Sequence, residues 1–323
     1  MIYGPRASTR DFPVSTLGHV SPVVAALSSL NLFVVSGAGL TVPIIPTMDV
    51  IVRRVIAGYD RIGSYPARGA QKSDLHQRLL PTKVLFSQVP RWKAYLLLGV
   101  YEAALSALFQ QNIYRRINPI APANYRIFEF VPSPAVLFDF NTDTLLANYC
   151  DPPHIVLNPH GAIERLIIQH TLFEEFLRTA AQFGMPLPNR SRIWLPGPEL
   201  ETMTRRGEYK LAQQRLSRCG EFFLLIGYSF GRQSSGRIDD GESFEFLVEL
   251  LRRYRRRIVI VDPNPEQVAS LFEDRLRQRI YASKLCWNFL AEAACLAMAE
   301  APSSPTLLSV ADRIARIHDE KTR

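Results

Sequence analysis

The chain is short of several things, and each shortage removes a class of protein. It has four cysteines in 323 residues, Cys150, Cys219, Cys286 and Cys295, and none forms a C-x-x-C pair. That scatter excludes a four-cysteine zinc ribbon and a disulfide framework, and it fits a reducing, cytoplasmic location. No internal repeat or low-complexity tract is present. Between Phe12 and Met48 there is no Asp, Glu, Lys or Arg, a stretch that a hydropathy scan would take for a membrane span. Pro22, Asn31, Gly37, Gly39, Pro43 and Pro46 break it into a short helix, a strand and a Gly-rich turn, so no membrane association is expected. A signal peptide is not expected either, because no compact apolar segment with a small-residue cleavage site follows Arg6, Arg10 and Asp11.

What is present is ordinary for a folded soluble protein: 47% hydrophobic and 21% charged residues, with a net charge of +8 that permits anionic ligands such as nucleotides. Short, mostly apolar runs at Leu32–Ser36, Ala135–Phe140, His154–Leu157, Glu221–Gly227 and Ile258–Val261 read as buried strands. Ser191–Leu195 is a further short candidate, and Tyr125–Val131 reads as a strand or a loop. Helical patterns lie between them. Ser21-Pro22 resembles an N-cap with Pro at the first helical position, opening a helix through Leu30. Others cover Asp49–Gly58, Leu75–Asn118 (Trp92–Phe109 the strongest), Ile163–Phe183, Tyr209–Cys219, Ser243–Arg253, Glu266–Arg279, Tyr281–Glu300 and Ser309–Ile317. Gly231–Gly241 reads as a mobile loop.

This alternation indicates an α/β fold, a Rossmann-like, doubly wound, mostly parallel sheet. The expected organisation is an N-terminal arm over 1–20, a sheet domain from 21–58 and 130–290, a helical insertion at 59–129, and a C-terminal helical tail at 291–323. In such sheets the ligand crevice lies beyond the carboxyl ends of the strands. Five clusters reach that edge: Gly37–Thr41, Asn141–Asp143, His160 with Gly161, Gly227–Ser229, and Asp262.

Several of these have two readings. A Gly-rich turn after a strand can direct its N–H groups at a phosphate, or it can be only a tight turn, and the full G-x-G-x-x-G pattern is absent. Asp262 can accept hydrogen bonds from a ribose diol, or cap the helix that follows. The basic run Arg252–Arg257 suits a helix C-terminus, where the macrodipole favours cations, better than a nucleic-acid surface, so direct nucleic-acid binding is not expected. His170 reads as a helix-surface or core residue.

The ordered set GAGLT, FNTD, PHG, IGYS and VDPN resembles the Sir2 (sirtuin-like) NAD-binding family across roughly residues 30–290. By that resemblance Gly37, Ala38, Gly39 and Thr41 would cradle the pyrophosphate of NAD, helped by Gly227 and Ser229. Asn141 would hold the nicotinamide ribose and its attacking water, and Asp143 would bond the nicotinamide carboxamide. His160 would act as base, a task that its near-neutral pKa suits. Asp262 or Asn264 would bind the adenosine ribose.

Two departures shape what the resemblance implies. Sirtuin deacylases carry a four-cysteine zinc module, absent here, and the family's G-I-P-D-F-R is reduced to Ile45-Pro46-Thr47-Met48-Asp49, with Ile44 where a Gly would sit. In these respects the chain resembles bacterial SIR2-like effectors of anti-phage defence, which destroy NAD. The implied activity is NAD⁺ hydrolysis without a metal, in a homo-oligomer and with a separate sensor or activator, such as an ATPase or an Argonaute-like protein. A non-catalytic NAD or ADP-ribose sensor, and a zinc-free deacylase or ADP-ribosyltransferase, are the alternatives.

Overall fold

A strand whose consecutive side chains are all apolar must be covered on both faces. The computed structural model shows this arrangement; it describes residues 10–11, 15–42, 121–132, 134–141, 145–150, 153–159, 207–218, 220–230, 240–303 and 306–322. Among the described residues seven strands form one sheet: β1 (Arg10–Asp11), β2 (Phe33–Ser36), β3 (Val136–Asp139), β4 (Ile155–Leu157), β5 (Phe222–Ile226), β6 (Arg257–Asp262) and β7 (Ile280–Lys284). Every pairing is parallel. The spatial order is β1-β7-β6-β5-β2-β3-β4. Counted from β2, this is the Rossmann order 3-2-1-4-5-6, with β1 added outside the last strand, so the topological switch point lies between β2 and β5.

Alternate residues of each strand feed two separate cores. Leu32, Val34, Leu137, Leu224, Ile226, Val259 and Val261 face one side. There they meet α1 (Thr16–Leu27), α3 (Ala123–Arg126) and α4 (Leu145–Tyr149), with α8 (Trp287–Glu300) and α9 (Ala311–Thr322). Phe33, Val35, Phe138, Phe223, Leu225, Ile258 and Ile260 face the other side. Here the cover is α5 (Gly207–Leu216), α6 (Gly241–Tyr254) and α7 (Pro265–Glu273). Phe33 stacks on Phe223 at 5.8 Å and lies 6.0 Å from Phe138, so aromatic contacts bridge β5, β2 and β3. The remaining short helix, α2 (Ala38–Thr41), follows β2 directly.

The five apolar runs expected as strands, Leu32–Ser36, Ala135–Phe140, His154–Leu157, Glu221–Gly227 and Ile258–Val261, are strands with slightly different ends, and the doubly wound parallel sheet is the architecture found. Four local expectations are corrected. The first helix begins at Thr16, where the Ser15 side chain accepts from the Gly18 N–H, and Pro22 lies inside it. Tyr125–Val131 is the end of α3 followed by a 3-10 turn at Ile127–Phe130, not a strand. The helix expected to reach Arg279 stops at Glu273. Tyr281 lies in β7, which pairs with β6 on one side and with β1 on the other, so this segment is not helical.

Arg252 and Arg253 occupy the last turn of α6, and Arg255 closes it in the left-handed conformation. Arg257 pairs with Glu221 at 2.8 Å. The helices expected at 49–58, 75–118 and 163–183 and the strand expected at 191–195 lie outside the described residues, as do the loop at 231–239 and nearly all of the insertion at 59–129. Among the described residues, no helix is long and apolar enough to cross a membrane.

Candidate functional site

At the switch point, the backbones of β2 and β5 are locked together just beyond the sheet. The Gly37 N–H donates to the Ile226 carbonyl at 3.0 Å, and the Gly39 N–H donates to the Gly227 carbonyl at 3.1 Å. Leu40 N–H closes the turn on the Gly37 carbonyl at 2.9 Å. This approach requires glycine on both sides. A Cβ on Gly227 would sit 2.3 Å from the Gly39 Cα, and Gly227 has φ +52°. A Cβ on Gly39 would sit 2.5 Å from the Gly227 Cα.

The Gly-rich turn thus serves chain packing first. The N–H groups of Gly37, Gly39 and Leu40 have intramolecular acceptors, so these three are not left for an anion. Thr41 is buried, and its hydroxyl donates to the Ala38 carbonyl at 3.1 Å. Ser229 is half-buried, two residues past Gly227.

The adjacent strand ends carry a buried polar cluster. Ser36 and Asp139 are register partners at the ends of β2 and β3, and both are fully buried. A carboxylate in that position is tolerated only if donors replace its water. Three do so at one oxygen. Asp139 Oδ1 accepts from Ser36 Oγ at 2.8 Å, from Asn141 Nδ2 at 2.9 Å and from the Asn141 N–H at 3.2 Å.

Asn141 Nδ2 also donates to the Gly37 carbonyl at 2.9 Å. Both partners of Nδ2 are acceptors, which fixes the orientation of the amide. With its two hydrogens so placed, the group that Asn141 can offer a ligand is its Oδ1 acceptor. Asn158 Nδ2 reaches the carbonyls of Asp139 at 3.3 Å and Asn141 at 3.4 Å, tying the end of β4 to the same corner.

An aromatic wall stands beside this cluster. Tyr228 stacks on Phe140 with ring centroids 4.4 Å apart and an 8° tilt, and its hydroxyl donates to the buried Asp240 carboxylate. The Tyr228 side chain also fills the space that a Cβ on Gly37 would need, at 2.4 Å. Phe230 follows with φ +54° and inserts against Phe244 and Phe272. The chain after β5 therefore bends sharply at Gly227 and again at Phe230, holding Tyr228 between them.

Asp262 ends β6, one strand further out. Its Oδ1 accepts from the Asn264 N–H at 2.8 Å, and burial raises its pKa above the ordinary carboxylate value. Asn264 stands at the N-cap of α7 but makes no side-chain capping bond. The backbone joins Asp262 to the switch point, because the Gly227 N–H donates to the Val261 carbonyl at 2.9 Å.

The topology thus brings Gly37–Thr41, Asn141, Gly227, Ser229 and Asp262 to one edge of the sheet. Asp143 and His160 lie outside the described residues. Among the described residues, no group of three His, Cys, Asp or Glu side chains could hold a metal ion. Sequence reasoning missed Ser36, Asp139, Asn158 and Tyr228. The available signal was a carboxylate inside the apolar run AVLFDF, facing a serine at the end of the run before it.

A scan against protein-family models returns no match, and a search of curated proteins returns none. Among solved structures, a chain from work on the structural basis for the mechanism and regulation of Sir2 enzymes is similar to this one at 13% identity. The match covers 93% of this chain and 98% of that one, with a TM-score of 0.40. That overlap is loose, and the fold rests on the strand order and the site on its contacts.

Proposed function

We propose that this chain is a NAD⁺ hydrolase that cleaves the nicotinamide–ribose bond to give nicotinamide and ADP-ribose. The observation that carries the reading is the Asn141 carboxamide, fixed at the carboxyl edge next to the switch point of a 3-2-1-4-5-6 sheet. Dinucleotides bind across that crevice in sheets of this order. An amide with both hydrogens engaged presents a rigid acceptor, suited to a ribose hydroxyl or a water. The resemblance of the five strand-end motifs to the Sir2 family supplies the remaining roles.

In this reading the bond from ribose C1′ to the pyridinium nitrogen breaks, and its electron pair leaves with neutral nicotinamide. The ribose passes through an oxocarbenium-like state. A water held by Asn141 adds to C1′, and His160 takes its proton. Asp143 bonds the departing carboxamide. Ala38 and Ser229 contribute donors to the pyrophosphate, and Asp262 or Asn264 accepts from the adenosine ribose. Nicotinamide is already a good leaving group, so the protein's task is orientation and shelter from bulk water, with no metal in the scheme.

The biological setting belongs to the same proposal: a cytoplasmic, oligomeric, NAD-depleting effector of anti-phage defence, released by a separate sensor such as an ATPase or an Argonaute-like protein. The test is incubation of the purified chain with NAD⁺, with and without candidate activators, while nicotinamide and ADP-ribose are quantified. Equal amounts of both products support hydrolysis. Turnover only with an acylated peptide or a protein acceptor would replace it with deacylation or ADP-ribosyl transfer. A raised melting temperature without product would make the chain a sensor.

A further inference from the structure

The contacts of Asn141 point one residue deeper. Asp139 sits at the last position of β3, with its side chain fully buried, and nothing in the motif resemblance assigns it a role. One carboxylate oxygen gathers the Ser36 hydroxyl at 2.8 Å, the Asn141 backbone N–H at 3.2 Å and the Asn141 side-chain amide at 2.9 Å. Of these, the side-chain bond governs orientation. Asn141 would keep one anchor, the Gly37 carbonyl at 2.9 Å, if Asp139 were removed. A carboxamide held by one hydrogen can rotate about its terminal torsion, which is broad and roughly two-fold. Held by two, it cannot exchange its oxygen for its nitrogen.

The Asp139 Oδ1 suits this task because it accepts all three of these bonds and so does not compete for the Asn141 oxygen. Ser36, on the neighbouring strand and in register with Asp139, fixes the carboxylate in turn. The chain of contacts therefore runs from β2 through β3 to the amide at the crevice.

We propose that Asp139 is a positioning residue, which holds the Asn141 carboxamide with its oxygen turned to the ligand. As a statement about catalysis, this rests on the NAD⁺ hydrolase reading; as a statement about the orientation of Asn141, it does not.

The test compares D139A and D139N with N141A and with the double variants, using NAD⁺ as the probe. D139A is expected to lower kcat about 10²-fold while KM for NAD⁺ stays within about threefold, since misplacement costs rate rather than affinity. D139N keeps an acceptor oxygen and is expected to recover about tenfold of that loss. On the N141A background, either change at Asp139 should cost less than about twofold, because its effect passes through Asn141. An equal loss on both backgrounds would overturn the proposal.

A second readout needs no turnover. In ¹⁵N-labelled protein, the side-chain amide protons of Asn141 should exchange with solvent at least about tenfold faster in D139A than in the wild type, as the hydrogen-bonded state is lost. The increase should be smaller in D139N. Unchanged exchange would also overturn the proposal. If D139A does not fold, D139N carries both measurements. If the wild type releases no nicotinamide, the hydrolase reading fails, and the exchange measurement alone decides the role of Asp139.

Discussion

Asn141 and His154 stand at opposite edges of the same strand pair, one just past the end of β3 and the other just before β4. Both are half-buried polar side chains, and both tie segments together. His154 is fully used. Its Nδ1 accepts from the Ala135 N–H at 3.1 Å, which leaves the proton on Nε2, donated to the Phe128 carbonyl at 3.1 Å. Asn141 uses its two amide hydrogens and retains an acceptor. A buried polar group with nothing left to offer is structural, whereas one held rigid with a free acceptor is equipped to receive a ligand. The carboxyl edge of the sheet carries the second kind, in agreement with where parallel sheets place their sites.

Four substitutions sharpen that contrast, beginning with the largest effect. G227A adds a Cβ 2.3 Å from the Gly39 Cα at a residue with φ +52°. Backbone strain and overpacking together should cost about 4 kcal/mol of stability, read from denaturant unfolding. A loss below about 1 kcal/mol would mean that the β2–β5 junction is looser than its contacts imply.

N141A should lower kcat for NAD⁺ hydrolysis about 10²-fold, with a shift in stability near about 1 kcal/mol. H154A should do the reverse. It strands the buried Ala135 N–H, whereas the Phe128 carbonyl keeps the Val131 N–H at 3.1 Å, so stability should fall by about 2 kcal/mol while kcat and KM hold. A kinetic defect in H154A without a stability loss would break the comparison outright.

The same histidine predicts a pH response. Burial holds the pKa of His154 below the ordinary 6.5, against the smaller opposite effect of the Phe128 carbonyl, and burial also lowers those of His19 and His318. The unfolded chain then takes up protons first as pH falls. The stability these residues support is fully present above about pH 6.5 and is lost as pH drops from there towards the folded-state values. Unfolding free energies measured between neutral and mildly acidic pH should show this decline, and H154A should flatten part of it.

The smallest effect is expected at Asp262. D262A should raise KM for NAD⁺ about fivefold and leave kcat within about twofold, as suits a group remote from the broken bond.

The five apolar strands and their parallel arrangement were legible because each is covered on both faces, which forces continuous hydrophobic runs. β7 was not, because RIYASK mixes cations and a serine with Ile280 and Ala282, and its pairing with β6 and β1 is what makes it a strand. β1, two residues long, exists only through its pairing with β7. The start of α1 was misplaced because Ser21-Pro22 imitates a helix opening, while the cap in use is Ser15.

Within the site, the sequence marked Asn141 by its place after a strand but could not mark Asp139. The meaning of that carboxylate depends on Ser36, 103 residues earlier, and the pair meets only when β2 and β3 lie in register. The Gly-rich turn was visible as a turn. That Gly37 and Gly39 direct their N–H groups into β5 became clear only from the junction with Gly227.

The most direct test of the central claim is nicotinamide release from NAD⁺ by the wild type and by N141A, each at saturating NAD⁺ and with folding checked by thermal melting. Nicotinamide and ADP-ribose formed in equal amounts by the wild type, and about 10²-fold more slowly by a folded N141A, are the predicted result. Equal rates in the two proteins would contradict it.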